Sequence, residues 1–182
     1  MPFPKDHKYT AEEFFELSPE SSSEQYELIN GEIVALASPS ELHQRILGEI
    51  FAELRNYIKS NMGSCRPFVA PFDVKLNDSN VVQPDVMVIC DRDKLDGKRC
   101  NGAPDLVIEV ASSNYARDYI DKLDLYSKAG VREYWIVDPA YNKILVYFFE
   151  KNRFPNIYTF DAAVPVGIYD GKLNICIAEL LA

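Results

Sequence analysis

Two segments of this chain read as buried strands, and each follows the dipeptide Pro-Asp. Val-Met-Val-Ile-Cys (86–90) follows Pro84-Asp85, and Leu-Val-Ile-Glu-Val-Ala (106–111) follows Pro104-Asp105. The first run is apolar on both strand faces, which is typical of a central strand in a sheet that is covered on both sides. The second run is apolar apart from one acid. The two segments therefore predict the centre of a sheet with helices packed on it.

A hairpin and a long helix precede these strands. Asn30-Gly31 separates two apolar runs, and this dipeptide supplies the positive φ angles that a type I′ hairpin turn requires. Ser38-Pro39-Ser40 precedes a stretch of roughly 20 residues with apolar positions at helical spacing, which ends at Gly63. A further helix is predicted between Asn114 and Gly130, and it is followed by more strands.

The order of these elements predicts the fold class. Helix, hairpin, helix, strands, helix and strands in succession indicate an α/β (α+β) fold with one mixed central sheet flanked by helices. No internal repeat and no long linker interrupts residues 1–182, so we expect a single domain.

Composition excludes several classes of protein. With 47% hydrophobic and 26% charged residues, the chain is not a disordered or fibrous one. No apolar run approaches the roughly 18 residues of a membrane span, and the N-terminus lacks the pattern of a secretory signal, so we expect a cytoplasmic protein. The four cysteines form no C-x-x-C pair and the chain has two histidines, which predicts reduced thiols rather than a zinc site.

The net charge bears on nucleic acids as partners. Nineteen basic residues against 28 acidic ones give a net charge of −9, which argues against non-specific coating of nucleic acid. An enzyme that acts on phosphodiesters with a divalent cation is still compatible with this charge, because its acidic site repels phosphate until the cation is bound.

Glu109 is the most informative residue, because it lies inside an otherwise apolar strand. Burying an ionised carboxylate costs several kcal/mol unless a cation or hydrogen-bond donors compensate. One interpretation is a structural ion pair with a Lys or Arg. If the strand that follows Asp85 is a neighbour, the two carboxylates can instead converge on a hard cation such as Mg²⁺. Taken alone, Asp85 also fits an exposed aspartate at the start of a strand.

Motifs along nearly the whole chain resemble the Uma-type putative restriction endonuclease family, which is placed in the PD-(D/E)XK nuclease superfamily. The motifs are Tyr-Glu-Leu-Ile-Asn-Gly-Glu-Ile (26–33), Pro39-Ser40 with His43, Pro84-Asp85-Val86, Ala-Pro-Asp-Leu-Val-Ile-Glu-Val (103–110), Asp118 with Lys122, and Tyr-Ser-Lys-Ala-Gly-Val-Arg-Glu-Tyr-Trp (126–135). The resemblance implies a restriction-endonuclease-like fold and metal-dependent hydrolysis of DNA.

The resemblance also implies a catalytic set. Asp85 matches the aspartate of the PD half, and Glu109 matches the acid of the (D/E)XK half. Ala111 stands where that pattern has lysine. We predict that Lys122 replaces it from the edge of the apolar face of the following helix. The alternative is that Lys122 is exposed and pairs with Asp118, four residues earlier on the same helix.

In the implied mechanism, one or two Mg²⁺ (or Mn²⁺) ions are held by Asp85, Glu109 and the carbonyl of Val110, and Lys122 either positions the attacking water or neutralises developing charge. His43 shares a helix stripe with apolar residues, so it is either a core histidine or an auxiliary group at the site. Glu27, an acid in the hairpin motif, is assigned as an outer metal ligand.

The sequence supports several further expectations. Lys98 and Arg99 lie in a charged loop where they either contact DNA phosphates or are merely solvated, and Tyr134 and Trp135 read as core packing. One rival function is a nuclease fold without turnover, acting as a binding or regulatory module. Another is a metal-free hydrolase with two carboxylates, such as a glycosidase. We also expect at least a homodimer, because cleavage of both strands of a duplex commonly takes two sites and because the apolar strands between 143 and 160 end in a sheet edge.

Overall fold

The computed structural model describes residues 3–4, 6–17, 24–111, 120–151 and 154–182. Its helices are α1 (Ala11–Leu17), α2 (Glu41–Ser60), α3 (Lys122–Ala129) and α4 (Ile177–Leu181). Its strands are β1 (Tyr26–Ile29), β2 (Glu32–Ala35), β3 (Arg66–Val69), β4 (Val74–Asn77), β5 (Asn80–Val82), β6 (Val86–Ile89), β7 (Cys100–Asn101), β8 (Leu106–Val110), β9 (Glu133–Asp138), β10 (Lys143–Phe148), β11 (Asn156–Thr159), β12 (Val164–Pro165) and β13 (Asn174–Ile175). None of these helices is long and apolar enough to cross a membrane.

The described strands form two mixed sheets and a two-stranded ribbon, whereas the sequence predicted one mixed sheet. One sheet has the order β2-β1-β5-β4-β7, and the other has the order β11-β10-β9-β8-β6-β3. The predicted strand over 81–90 divides at Gln83-Pro84-Asp85, so β5 joins the first sheet and β6 joins the second. Proline lacks the N–H that a sheet ladder needs, which accounts for a break at this point.

The six-stranded sheet is covered on both faces, as predicted for its central strands. Val86, Val88, Leu106 and Ile108 pack in one hydrophobic cluster with the apolar stripe of α2. Alternate residues of the same strands, Met87, Ile89 and Val107, pack in a second cluster with Leu125 and Tyr126 of α3 and with residues of the first sheet. The helices and the first sheet therefore enclose β6 and β8 from both sides.

The local predictions for the hairpin and for α2 are confirmed. Asn30 and Gly31 have φ angles of 51° and 79° between β1 and β2, the positive values expected for a type I′ turn. The Ser40 side chain accepts a hydrogen bond from the backbone N–H of His43 and so caps α2. The predicted start of the next helix at Asn114 lies outside the described residues. Helix α3 ends at Ala129, and its C-cap is Gly130, whose φ is 91°.

The expectation of reduced thiols is wrong for one pair of cysteines. Cys65 and Cys90 flank the paired strands β3 and β6, and their sulfurs are bonded at 2.10 Å. The antiparallel register sets Arg66 opposite Ile89, so the next residues outward face each other as well. Cys100 and Cys176 are free thiols. Tyr134 and Trp135 are fully buried, as predicted for core residues.

A buried glutamate attaches the C-terminal segment to β9. Glu133 Oε1 accepts hydrogen bonds from Trp135 Nε1 at 2.7 Å and from the Gly167 N–H at 2.9 Å, and its Oε2 accepts from the Ile168 N–H at 2.8 Å. Burial raises the pKa of Glu133 above its ordinary value, against the opposing effect of these donors.

Candidate active site

A cleft of about 700 Å³ lies where β1, β6, β8, α2 and α3 approach one another. Its floor carries the charged side chains, and its walls come from the segment between β2 and α2, from Ala70-Pro71 and from the turn at Pro139-Ala140. All six residues that the sequence predicted for the site line it: Glu27, His43, Asp85, Glu109, Val110 and Lys122. Their chemical roles remain predictions.

The pairing of β6 with β8 brings the two main carboxylates together. These strands are antiparallel neighbours with Val86 opposite Ile108, so Asp85 and Glu109 come next in register on the same face. The Asp85 N–H donates to Glu109 Oε2 at 3.4 Å, and the Val110 N–H donates to Asp85 Oδ2 at 2.8 Å. The adjacency on which the predicted cation site depends is therefore present.

Glu109 is held by two side chains from α3. Lys122 Nζ lies 2.9 Å from Glu109 Oε1, and the Tyr126 hydroxyl donates to the same oxygen at 2.6 Å. Burial and then the Glu109 charge raise the pKa of Tyr126 well above its ordinary value, so this hydroxyl keeps its proton. Since Lys122 and Tyr126 are four residues apart on one helix face, α3 orients the carboxylate of β8.

Glu27 on β1 extends this arrangement into the first sheet. Its side chain is fully buried, and its Oε1 accepts from the Gln83 N–H at 2.9 Å and lies 3.2 Å from Lys122 Nζ. Within the described residues, its Oε2 has no hydrogen-bond partner. A buried carboxylate oxygen that lacks a donor is costly, so this atom is a candidate to accept a further cationic or donor group.

His43 reaches the same site from the first turn of α2. Its Nε2 lies 3.2 Å from Asp85 Oδ2, and the two side chains are 14% and 17% exposed. The position is therefore at the cleft rather than deep in the core. A histidine there can donate to Asp85 and fix the direction of that carboxylate.

The predicted edge position of Lys122 is wrong in one respect, because the residue is buried. It is 5% exposed, and with Leu125 and Tyr126 it forms the buried face of α3. Two carboxylates compensate the buried ammonium. The alternative partner Asp118 lies outside the described residues.

Other charged residues considered from the sequence lie away from the cleft. Asp105 accepts a hydrogen bond from the Cys90 N–H and pairs with Arg132 at 3.2 Å, so its contacts stabilise the fold. The Arg99 guanidinium stacks 3.3 Å from the centroid of the Phe15 ring, and Lys98 is exposed.

Tyr126 and Gln83 are site residues that the sequence reasoning did not assign. Gln83 lines the cleft, and its Nε2 donates to Asp73 Oδ1 at 2.9 Å. The i, i+4 spacing of Lys122 and Tyr126 was the available signal for the tyrosine. Gln83 had no such signal, because its contacts are with Glu27 of β1 and with Asp73 before β4, which are distant in the chain.

The donors in this cleft suit a hard divalent cation. Three carboxylates face one ammonium among the lining residues, an excess of two negative charges with His43 neutral. Within the described part of the chain, no group of three or more His, Cys, Asp or Glu side chains is arranged to hold a metal. Mg²⁺, however, keeps several waters and is commonly bound through one or two carboxylates. Asp85 and Glu109 supply such a pair.

Comparison with known proteins agrees with this fold. The sequence profile of the Uma2 family, described as "Putative restriction endonuclease", matches residues 11–162. A crystal structure of a putative nuclease belonging to DUF820 from Anabaena variabilis ATCC 29413 matches with a TM-score of 0.77 and 24% identity, over 94% of this chain and 96% of that one. This likeness shows a shared fold. No curated protein matches the chain.

Proposed function

This chain belongs to the Uma2 family, and from that membership and its acidic cleft we propose that it is a nuclease that hydrolyses DNA phosphodiester bonds with Mg²⁺ or Mn²⁺. One observation carries the proposal. Asp85 and Glu109 are adjacent on antiparallel strands at the floor of a cleft, and Lys122 and Tyr126 both bind the Glu109 carboxylate. The excess of negative charge there supports a cation as part of the working site.

The chain's own residues have separable roles in this proposal. Asp85, Glu109 and the Val110 carbonyl would hold the cation, and Glu27 would add its negative charge from the outer side of the site. His43 orients Asp85, while Tyr126 orients Glu109. A divalent cation bound there polarises the scissile phosphate and lowers the pKa of the attacking water.

Lys122 has two tasks in this scheme. Its ammonium lies between Glu27 and Glu109, so it neutralises part of the acidic floor before substrate binds. During hydrolysis, negative charge develops on the phosphate oxygens. A fixed cation close to those oxygens stabilises the transition state, because it needs no reorganisation as the charge appears.

A nuclease fold without turnover is the second candidate. The observation that favours it is the pairing of Lys122 with both Glu27 and Glu109, because this one ammonium compensates two buried carboxylates. Such a protein would bind nucleic acid or a partner through the cleft and cleave nothing.

Metal binding and cleavage test the first proposal together. Mn²⁺ at millimolar concentration should raise the melting temperature, because it binds the folded state, and labelled DNA should be cut in Mg²⁺ or Mn²⁺ but not in EDTA. Asp85→Asn and Glu109→Gln should each remove most of the melting shift and lower cleavage by about a hundredfold or more.

Asp124→Asn is the matched control. Asp124 lies on the exposed side of α3, where it pairs with Lys128 at 2.7 Å, so its loss should change neither readout. A Mn²⁺ shift that survives in both site variants would place the metal elsewhere. A purified protein that cuts no DNA with any metal would favour the module without turnover, and cleavage that persists in EDTA would favour a metal-free carboxylate pair.

A further inference from the structure

We propose that the cleft holds a single divalent cation per chain, bound by Asp85 and Glu109, and that the Lys122 ammonium takes the place that a second cation would need. The inference rests on the proposed nuclease function and decides how many metal ions that same site uses. It is carried by the partners of the carboxylate oxygens, by the burial of Lys122 and by the charge of the cleft.

The two oxygens of Glu109 face different neighbours. Oε1 lies 2.9 Å from Lys122 Nζ and accepts a hydrogen bond from the Tyr126 hydroxyl at 2.6 Å. A carboxylate oxygen offers about two lone-pair sites, so these two groups use the acceptor capacity of Oε1. Oε2 is turned toward Asp85, whose backbone nitrogen lies 3.4 Å away, which is long for an N–H···O bond. A cation shared by the two acids is therefore expected at Oε2.

Lys122 lies between Glu109 and Glu27. Its Nζ is 3.2 Å from Glu27 Oε1, which also accepts from the Gln83 N–H at 2.9 Å. A second cation held jointly by Glu27 and Glu109 would need the oxygens that this ammonium contacts. The Lys122 side chain is only 6% exposed, so displacing it would take a buried positive charge away from both carboxylates. The ammonium is therefore a fixed substitute for that second ion.

The charge of the cleft balances with one divalent cation. Among the described lining residues, three carboxylates and the Lys122 ammonium leave an excess of two negative charges with His43 neutral. One divalent cation cancels this excess. A second one would leave two uncompensated positive charges beside the buried ammonium, and like charges repel strongly in a poorly solvated site.

Glu27 acts on the cation through its charge in this arrangement. Its Oε2 has no hydrogen-bond partner within the described residues. An ordered water can satisfy a buried acceptor of this kind, so the atom does not by itself require a metal ion. Loss of the Glu27 charge should therefore weaken the binding of the cation without changing the number of cations bound.

Counting bound Mn²⁺ in the absence of DNA tests the proposal. Equilibrium dialysis of the full chain against millimolar Mn²⁺ should give about one ion per chain, after subtraction of the binding that persists when Asp85→Asn and Glu109→Gln are combined. Lys122→Met should bind about two ions, because it opens one oxygen each of Glu27 and Glu109 and removes a positive charge. Glu27→Gln should keep one ion, as should Lys128→Met, the control at an exposed residue of the same helix.

Electron paramagnetic resonance gives a second readout of the same count. Two Mn²⁺ ions that share Glu109 would lie about 3.5–4 Å apart, close enough for their spins to couple. We expect the spectrum of an isolated ion from the parent protein and a coupled spectrum from Lys122→Met. Two ions or a coupled spectrum in the parent overturn the proposal, and so does a folded Lys122→Met that still binds one ion. If Lys122→Met does not fold, the count and the spectrum of the parent decide.

Cleavage of DNA by the same preparations separates this inference from the proposed function. One ion in the parent and two in Lys122→Met, without cleavage of any DNA, refute the nuclease function and keep the single-cation site. Cleavage by a parent protein that binds two ions refutes the single-cation site and keeps the nuclease function. A parent protein that binds no Mn²⁺ refutes both.

Discussion

At the scale of single residues, Lys122 accounts for the lysine that is absent after Glu109. Ala111, two residues after Glu109 and directly after the end of β8, stands where the lysine is expected, and its backbone N–H donates to the Val137 carbonyl. The ammonium arrives instead from the first residue of α3 and contacts Glu109 at 2.9 Å. Because it bridges two buried carboxylates, Lys122 contributes to folding as well as to the site.

This dual contribution gives a prediction for Lys122→Met. The substitution keeps most of the side-chain volume but leaves Glu27 and Glu109 buried without their cation, so the free energy of unfolding without metal should fall by about 3 kcal/mol. Mn²⁺ should restore part of the loss. Denaturant unfolding, with and without the metal, measures both effects.

Lys128→Met is the matched control on the same helix. Lys128 is 76% exposed and pairs with Asp124, so the change should stay within about 0.5 kcal/mol. An unfolding free energy for Lys122→Met equal to that of the parent would show that the bridge contributes nothing to stability.

At the scale of elements, the attachment of the C-terminal segment to β9 depends on the close approach of Gly167 to Glu133 and Phe148. The Gly167 N–H donates to Glu133 Oε1, and a Cβ at Gly167 would lie 2.9 Å from two Phe148 ring carbons and 3.2 Å from Glu133 Oε2. A side chain there must displace the ring or the carboxylate. The glycine is required by contact with neighbouring elements rather than by its backbone angles.

Gly167→Ala should therefore lower the free energy of unfolding by about 1–3 kcal/mol, as overpacking does. Gly48→Ala is the opposite control, because a Cβ at that position in α2 meets nothing within 4 Å. It should raise stability by about 0.5–1 kcal/mol through helix propensity. Thermal and denaturant unfolding compare the two variants, and a neutral Gly167→Ala would mean that Phe148 moves aside freely.

At the scale of the whole molecule, β11 is the exposed edge of the six-stranded sheet. It pairs with β10, and no strand of the described residues pairs with its other side. Ile157 is 64% exposed there and Phe154 is 82% exposed nearby. The strand itself, Asn156–Thr159, carries neither a charge nor a proline, since Pro155 stands before its first residue. Natural edges are usually protected by charge, proline or a covering segment.

We therefore expect two copies of the chain to associate through β11. Light scattering at tens of micromolar should give a dimer, and Ile157→Lys should give a monomer, because a charge on the edge opposes pairing. Met62→Lys, at another exposed apolar residue, should leave the dimer intact. A parent protein that is monomeric throughout this range contradicts the prediction.

The sequence by itself determined the features that depend on neighbouring residues. The Asn30-Gly31 turn, the Ser40 cap of α2 and the two buried strands with their acids all follow from local backbone preference and from periodicity. Asp85 and Glu109 stood out for the same reason, since an acid that borders or interrupts an apolar strand is visible without any structure.

Tertiary structure alone decided which distant segments meet. The break at Pro84 sends β5 and β6 to different sheets, and this division places Glu27 beside Lys122. The Cys65–Cys90 bond and the Tyr126–Glu109 hydrogen bond likewise join residues that are far apart in the chain. Such contacts depend on strand register and on the packing of helices against sheets, and the energies that set them are sums over many long-range contacts that no local pattern encodes.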